Sequence, residues 1–504
     1  MNVSIEFSFL LPLLPAMILG VAVLVVMLAI AIKRSHSLIV GLTALGLNGA
    51  LVVLLLQFFE KLPTHINRGD VMGLFLVDGF ALFNSLVVVV SALACVTLSY
   101  RYFQSFNNNK EELYLLLLTS TLGAVLMTSA HHFASFFVSL ELLSVPMYGM
   151  LSFAYLKQKS LESGLKYLIL SATASATLLM GMAFIFGATG ELGFVRLGQS
   201  LMAGFGLSPL FMVGAVMMVA AVAFKLSLAP FHSWAGDIYQ GSPAPVTAFL
   251  ASVGKVAVVA LVVRFLLTSA TPAISSVDVV LVALVLVSIV AGNLLALTQT
   301  NLKRLLAFSS VAHMGYVLIP LIATGTTADA DSVISMYMLI YALSSVGAFG
   351  VIVLMTGAYG ETNRNTATQE VEDEADSMAV YQGLFWRRPV LTAVLTVMIL
   401  SMAGIPFTAG FITKMQVLFA ATQGGRFGLA FMVIVGSAIG LYYYLKVLLI
   451  MFKRPMTIVP FDVPSNWRVK AGGLVLILIT VFIFVMGILP NTLFKWASMA
   501  ILSL

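Results

Sequence analysis

The sequence predicts an all-α polytopic membrane protein of about fourteen transmembrane helices, with two inverted five-helix repeats and two broken helices. Three observations carry that prediction. Of 504 residues, 61% are hydrophobic and 9% charged, with a mean hydropathy of +1.07, where a soluble domain has roughly 25% charged residues. The apolar residues gather in long windows without the alternating, turn-punctuated pattern of a barrel, and the spanning structure that remains is the helix. Two windows are far longer than a span needs and carry proline and glycine midway.

In chain order the windows lie at roughly 8–32, 37–59, 75–99, 112–130, 132–156, 163–188, 208–240, 244–268, 277–298, 303–324, 332–358, 389–421, 428–452 and 470–490. Most are near the ~20 residues that cross a hydrocarbon core. The segment Met1 to Phe9 has no basic region, and the apolar run after it exceeds a signal-peptide core, so it reads as a retained first helix. The windows at 208–240 and 389–421 contain FKLSLAPFHSW, with Pro230, and AGIPFTAGFITK, with Gly404, Pro406 and Gly410. Proline removes a backbone donor and glycine permits an unwound segment, so both helices are expected to break. Broken helices at matching places in two halves mark a transporter-type site near the midplane.

Helices four to eight and nine to thirteen form two groups of five, with the broken helix fourth in each. An odd number of spans inverts the second group relative to the first. The expected organisation is an N-terminal three-helix segment at 1–111, repeats at 112–268 and 269–452, and a C-terminal helix within 453–504. The one plainly soluble stretch is GETNRNTATQEVEDEADSMAVYQG, at 360–383, between helices eleven and twelve. Its composition is that of a solvated loop; a partner-docking loop is the alternative.

Basic residues set the orientation. With the N-terminus outside, 17 of the 26 Lys and Arg residues, Lys303 among them, fall in inside loops, and six, Arg264 among them, fall outside. That bias puts both termini on the periplasmic side. It also accounts for the net charge of +6 without a nucleic-acid partner. Lys225, Lys255 and Lys414 remain inside windows, as does Glu141. An ionisable group at mid-membrane costs at least ~2.5–3.5 kcal/mol on insertion scales, so these four are expected to be paired or functional.

A lone buried lysine tends to lose its proton and a lone buried carboxylate to gain one, and an opposing charge reverses both. Glu141 and Lys225 can therefore switch between charged and neutral states when another charge moves; a static ion pair that fixes helix packing is the alternative. Lys255 has apolar neighbours on both sides, and the alternative to a relay role is contact with a water-filled crevice. Lys414 is either a relay group or a lysine that snorkels to the outer interface. His232, just after Pro230, and His313, in SSVAHMGY, suit proton shuttling or bonding to freed backbone. His131 and His132 sit at an outer helix junction and read as interfacial. Cys95 is the only cysteine, which excludes an intrachain disulfide and a cysteine-held cluster. Metal-ligand spacings, phosphate-binding loops and nucleophile elbows are all missing, so no metal is expected and the energy source lies outside this chain.

Three runs carry a family resemblance: FKLSLAPFHSWAGDIYQGSPAPVTAFLASVGKVA (224–257), NLKRLLAFSSVAHMGY (301–316) and GLFWRRPVLTAVLTVMILSMAGIPFTAGFITK (383–414). They closely resemble the antiporter-like membrane subunits of respiratory complex I, a superfamily that includes subunits of multisubunit sodium/proton antiporters. The resemblance spans helices four to thirteen. Lys414 stands where the M-type members carry glutamate and Lys255 where the L-type members carry histidine, so the chain resembles neither branch. The resemblance implies Glu141 and Lys225 as the charge pair at the broken helix, Lys255 as the central relay lysine and Lys414 as the terminal proton-handling lysine. Lys166, in LESGLKYLIL, matches a further family lysine between the pair and the cytoplasmic face. The implied activity is proton translocation in the membrane arm of a bacterial NADH–quinone oxidoreductase, in the inner membrane. The implied partners are the lipid bilayer and other membrane-arm subunits, antiporter-like neighbours among them. This chain is expected to bind no cofactor; NADH, FMN, iron–sulfur clusters and quinone belong to other subunits. A cation/proton antiporter subunit and a non-pumping structural spacer are the alternatives. The acidic stretch is longer than the family's usual connection at that point.

Overall fold

In hydrocarbon a backbone has no partner but itself, and each apolar window closes its own hydrogen bonds as a helix. The computed structural model describes residues 7–104, 109–204, 208–269, 275–324, 330–362, 374–454, 462–463 and 466–502. Residues 363–373, the middle of the acidic loop, lie outside them.

The chain opens with α1 (Leu14–Ile32), α2 (His36–Phe58) and the short α3 (Thr64–Asn67). An antiparallel hairpin of β1 (Gly69–Val71) and β2 (Phe75–Val77) leads into α4 (Gly79–Gln104). Next come α5 (Glu112–Ser129), α6 (Phe133–Leu151), α7 (Gln158–Thr189) and the short α8 (Phe194–Met202). The first broken helix is α9 (Pro209–Leu226) followed by α10 (Ser233–Gly241). The next span joins α11 (Ala244–Phe249) to α12 (Lys255–Thr268) through a π-helical turn at Leu250–Gly254. After α13 (Ser275–Leu297), α14 (Leu302–Thr324), α15 (Ala330–Thr362) and the short α16 (Leu384–Arg387) comes the second broken helix. Its halves are α17 (Pro389–Ala403) and α18 (Ala409–Gln423). The chain closes with α19 (Phe427–Phe452), α20 (Ala471–Ile488) and α21 (Asn491–Met499).

Thirteen helical segments among the described residues are long and apolar enough to cross a membrane, and the remaining window is the split α17–α18. Both long windows break where proline and glycine were expected to break them. The hairpin, α8 and α21 fall at or beyond window edges and are too short to register as apolar periodicity.

Burial sorts the spans into shells. The windows within Ala244–Thr268, Leu302–Ala323 and Ala330–Thr356 are 94%, 100% and 94% buried, whereas those of α1 and α20 are 28% buried. The innermost helices thus carry Lys255 and His313, while Leu28, Leu45, Leu449 and Leu478 point outward from peripheral helices. Glycine sets one close approach: a Cβ on Gly181 would lie 2.8 Å from the carbonyl of Gly214, so α7 and α9 cross almost backbone to backbone. His132 caps α6, accepting from the amide of Ala134 at 3.1 Å, in keeping with a helix junction.

One residue placed among the outside loops by charge sorting is in fact buried. Arg264, in α12, has a fully buried side chain and forms a two-pronged pair with buried Asp78, at 2.7 and 3.0 Å. Its Nε also donates to the carbonyl of Thr128 at 3.2 Å, and Asp78 in turn accepts from the amide of Ala81 in the first turn of α4. The pair ties α12 to the ends of α4 and α5. Fixed planar geometry is what lets arginine hold a carboxylate in this way. Lys303, assigned to an inside loop, is likewise buried and paired with Glu374.

Arg264→Met is expected to destabilise the fold by about 3–5 kcal/mol, because it strands the Asp78 carboxylate in a buried site. Thermal unfolding in detergent should show a clear loss for the single variant and recovery of most of it in Arg264→Met/Asp78→Asn.

Candidate functional site

Helical spacing lines one crevice with hydroxyls. On α6, Glu141 and Ser144 lie one turn apart, and on α7 so do Ser171 and Ser175. Ser175 donates to Glu141 Oε1 at 2.5 Å. Lys225, in the last turn of α9, donates to Ser144 Oγ at 2.9 Å and Ser171 Oγ at 2.7 Å. Ser171 also shares a hydrogen bond with the Tyr148 hydroxyl at 2.9 Å. Glu141 and Lys225 therefore face each other across serines, with no direct ion pair between them. A buried ammonium held by neutral hydroxyls remains responsive to the carboxylate beyond them.

A small cavity joins Lys225 to Lys255, lined also by Ser144, Tyr167 and Gly254. Lys255 is set by the first break. Helix α9 ends at Leu226, and Ser227 turns into the left-handed region with φ 55°. The end of a helix leaves carbonyls without amide partners. Lys255 Nζ donates to the Leu226 carbonyl and to Ser227 Oγ, and lies 5.9 Å from the Trp234 ring centre.

The second break repeats the device. Helix α17 ends at Ala403, Gly404 takes φ 79°, and Lys414 reaches back from α18 to the Ala403 carbonyl at 3.0 Å. Its ammonium also lies 5.3 Å from the Tyr316 ring centre. Lys414 is buried, so snorkelling does not describe it. A Cβ on Gly404 would meet Lys414 Cδ at 2.6 Å, and one on Gly410 would meet the Ser401 carbonyl oxygen at 1.8 Å. Hence both glycines are required by space, and Gly404 by backbone conformation as well.

His313, fully inside α14, sits in a tyrosine cage. Its Nδ1 bonds the Tyr337 hydroxyl at 2.7 Å and its Nε2 the Tyr444 hydroxyl at 3.2 Å, and Tyr444 bonds Ser309 at 2.6 Å. A cavity lined by His313, Tyr341, Ser344, Ser401 and Thr413 extends to Lys414. The structure therefore gathers the expected residues into two groups, Glu141–Lys225–Lys255 and His313–Lys414. Lys166 and His232 stand apart. Lys166 lies at an exposed edge against Glu162 at 2.5 Å and Asp237 at 3.3 Å. His232 is half-buried at the break, with Nδ1 unbonded and its ring 6.5 Å from that of Phe308.

Sequence reasoning missed the serines and tyrosines, whose type alone carries no signal in an apolar helix. Their spacing from Glu141, Lys225 and His313 does carry one. It also missed Glu374, whose side chain is almost wholly buried and bonds Lys303 Nζ at 2.7 Å and the Tyr102 hydroxyl.

The model of the "NADH:quinone oxidoreductase/Mrp antiporter, TM" family matches residues 130–440, which hold the crevice, both breaks and every lysine that lines them. The chain belongs to the NADH:quinone oxidoreductase/Mrp antiporter transmembrane family. Within it, the chain is 52% identical over 491 residues to a protein of Psychrobacter arcticus named NADH-quinone oxidoreductase subunit N, covering 97% of each. It also superposes on a chain of respiratory complex I from Thermus thermophilus, with TM-score 0.78 and 31% identity, covering 95% of this chain and 97% of that one. A chain of the Mrp complex from Dietzia sp. has the same fold, with TM-score 0.82 at 18% identity over 98% and 97% of the two chains.

Gly404→Ala adds strain of about 1–2 kcal/mol from the left-handed backbone and displaces the Lys414 stem. It is expected to lower proton-pumping rate in assembled complexes, whereas Gly428→Ala, whose added methyl meets nothing within 4 Å, leaves that rate unchanged.

Proposed function

We propose that this chain is a proton-translocating, antiporter-like subunit in the membrane arm of a bacterial NADH–quinone oxidoreductase, and that Glu141, Lys225, Lys255, His313 and Lys414 carry its proton path. One observation supports the reading above others: two broken helices each end on a carbonyl that a buried lysine fills. Burial opposes charge on each ammonium, and the negative end of the helix favours it. A modest shift of either helix half or of a nearby charge then moves the proton. Electron transfer in partner subunits supplies that shift by displacing charge next to Glu141. Through Ser175, Ser144 and Ser171, the displacement reaches Lys225 and, across the shared cavity, Lys255.

The near-full-length likeness to subunit N proteins favours this reading over a free-standing antiporter, since the likeness to the Mrp chain is one of fold. In the same reading, segments 112–268 and 269–452 are inverted repeats flanked by 1–111 and 453–504, and both termini face the periplasm. Lys166, at the exposed edge, is a peripheral relay group, and His232 a secondary one at the break. NADH and quinone are handled by other subunits.

Lys225→Ala and Glu141→Ala, each in an assembled complex in native membranes, are expected to lower NADH-driven proton pumping by about tenfold or more. Full coupled pumping by both would overturn the assignment.

A further inference from the structure

Outside the two proposed relay groups and the Arg264–Asp78 pair, the described residues hold a further buried titratable cluster. Lys303, in the first turn of α14, has a fully buried side chain and donates to Glu374 Oε2 and to the Ser242 carbonyl, each at 2.7 Å. Glu374 also accepts from the Tyr102 hydroxyl. Ser242 caps the end of α10, so the cluster sits against the second half of the first broken helix. Burying an ion pair adds little stability compared with apolar packing, which makes its presence against a broken helix informative.

Further polar groups lie inward of it. Ser310 lies two turns beyond Lys303 on the same face of α14, and His313 one turn further. The Tyr341 hydroxyl donates to Ser310 Oγ at 2.6 Å, and the Tyr341 ring lies 5.3 Å from that of His313. Beside Ser310 and Tyr341 lies Tyr239, whose buried hydroxyl approaches Ser310 without closing a well-formed hydrogen bond. A buried hydroxyl left in such loose geometry calls for an explanation, and an intermittent proton carrier that bonds Ser310 in turn is one.

We propose that Glu374 is the group through which this subunit takes up protons on the face bearing the acidic loop, passing them to His313 by way of Lys303, Tyr239, Ser310 and Tyr341. The proposal rests on the function argued above. The proton comes from the aqueous phase, binds the Glu374 carboxylate and leaves it inward, so the carboxylate is regenerated at each turn. Burial pushes the Glu374 carboxyl up, but Lys303 and Lys157, with the hydrogen bonds from Lys303 and Tyr102, hold it below the usual carboxylate range. It is therefore ionised at neutral pH, ready to accept, and holds a proton only briefly. The other ionisable groups around it are Asp376 and Tyr381.

The test uses the assembled complex in native membranes. Glu374→Gln keeps one oxygen as acceptor for Lys303, and the Tyr102 hydroxyl can turn to accept from the new amide, but the side chain cannot carry a proton. Its pumping rate is expected to fall by about tenfold at about pH 8.5, and by less at about pH 6, where protons in bulk are more abundant. Tyr239→Phe separates transport from structure. Deleting a buried hydroxyl without a well-formed bond costs little for a purely structural residue, since Ser310 keeps its bond from Tyr341, whereas the proposal requires slower pumping with assembly unchanged. Wild-type pumping by both variants over that pH range, with Lys255→Ala still inactive, overturns the uptake route and leaves the proposed function standing. Wild-type pumping by Lys255→Ala overturns the function itself. If Glu374→Gln does not assemble, Tyr239→Phe decides alone.

Discussion

A carbonyl in the middle of a bilayer cannot turn to water, and breaking a helix there creates several that need a donor. The bonds from Lys255 to Leu226 and from Lys414 to Ala403 answer that need. Other features follow from them. Ser227 and Gly404 must take left-handed backbone for each helix to end, and the stem of Lys414 must run through the space that a side chain on residue 404 would fill. The lysines are thus structural and ionisable at once. Such an arrangement ties protonation to helix geometry, because removing the proton weakens the bond that satisfies the break.

The two groups of buried ionisable residues use different partners. Around Lys225 the acceptors are serine hydroxyls, small and rotatable, which can present either a lone pair or a proton to a neighbour. Around His313 the partners are tyrosines, longer and more rigidly packed, with rings closing the site as well as hydroxyls serving it. The serine side suits a charge pair that responds to a nearby perturbation. The tyrosine side suits a fixed, directional set of hydrogen bonds. Both sit on or against the most deeply buried helices, where the surrounding dielectric is low and each hydrogen bond correspondingly strong.

Much of this was legible in the sequence. Window length and the placement of Pro230, Gly404 and Pro406 located the spans and both breaks, since hydrocarbon thickness and backbone chemistry leave few other solutions. Glu141, Lys225, Lys255 and Lys414 declared themselves as charges in apolar runs. Arg264 and Lys303 did not, because each lies within a turn of a window edge, where position along the chain cannot tell a solvated side chain from one that folds inward onto Asp78 or Glu374. The partnership between Glu141 and Lys225 looked direct from charge alone; the intervening serines depend on how α6, α7 and α9 rotate about their axes, which packing at Gly181 and Gly214 decides. The hairpin at 69–77 gave no periodic signal because its strands are three residues long.

The π-helical turn at Leu250–Gly254 ends immediately before Lys255. Such a turn holds one more residue than an α-helical one, and one residue corresponds to about 100° of rotation around the axis. The azimuth of Lys255 is therefore stored in the turn beneath it. Were residues 250–254 wound as plain α-helix, with α12 held in place by Arg264, the segment from Ala244 would have to rotate against its neighbours. Were α11 held in place instead, Lys255 would swing away from the Leu226 carbonyl. The helix is anchored at both ends, and the extra residue is what reconciles the two anchors with a lysine aimed at the break.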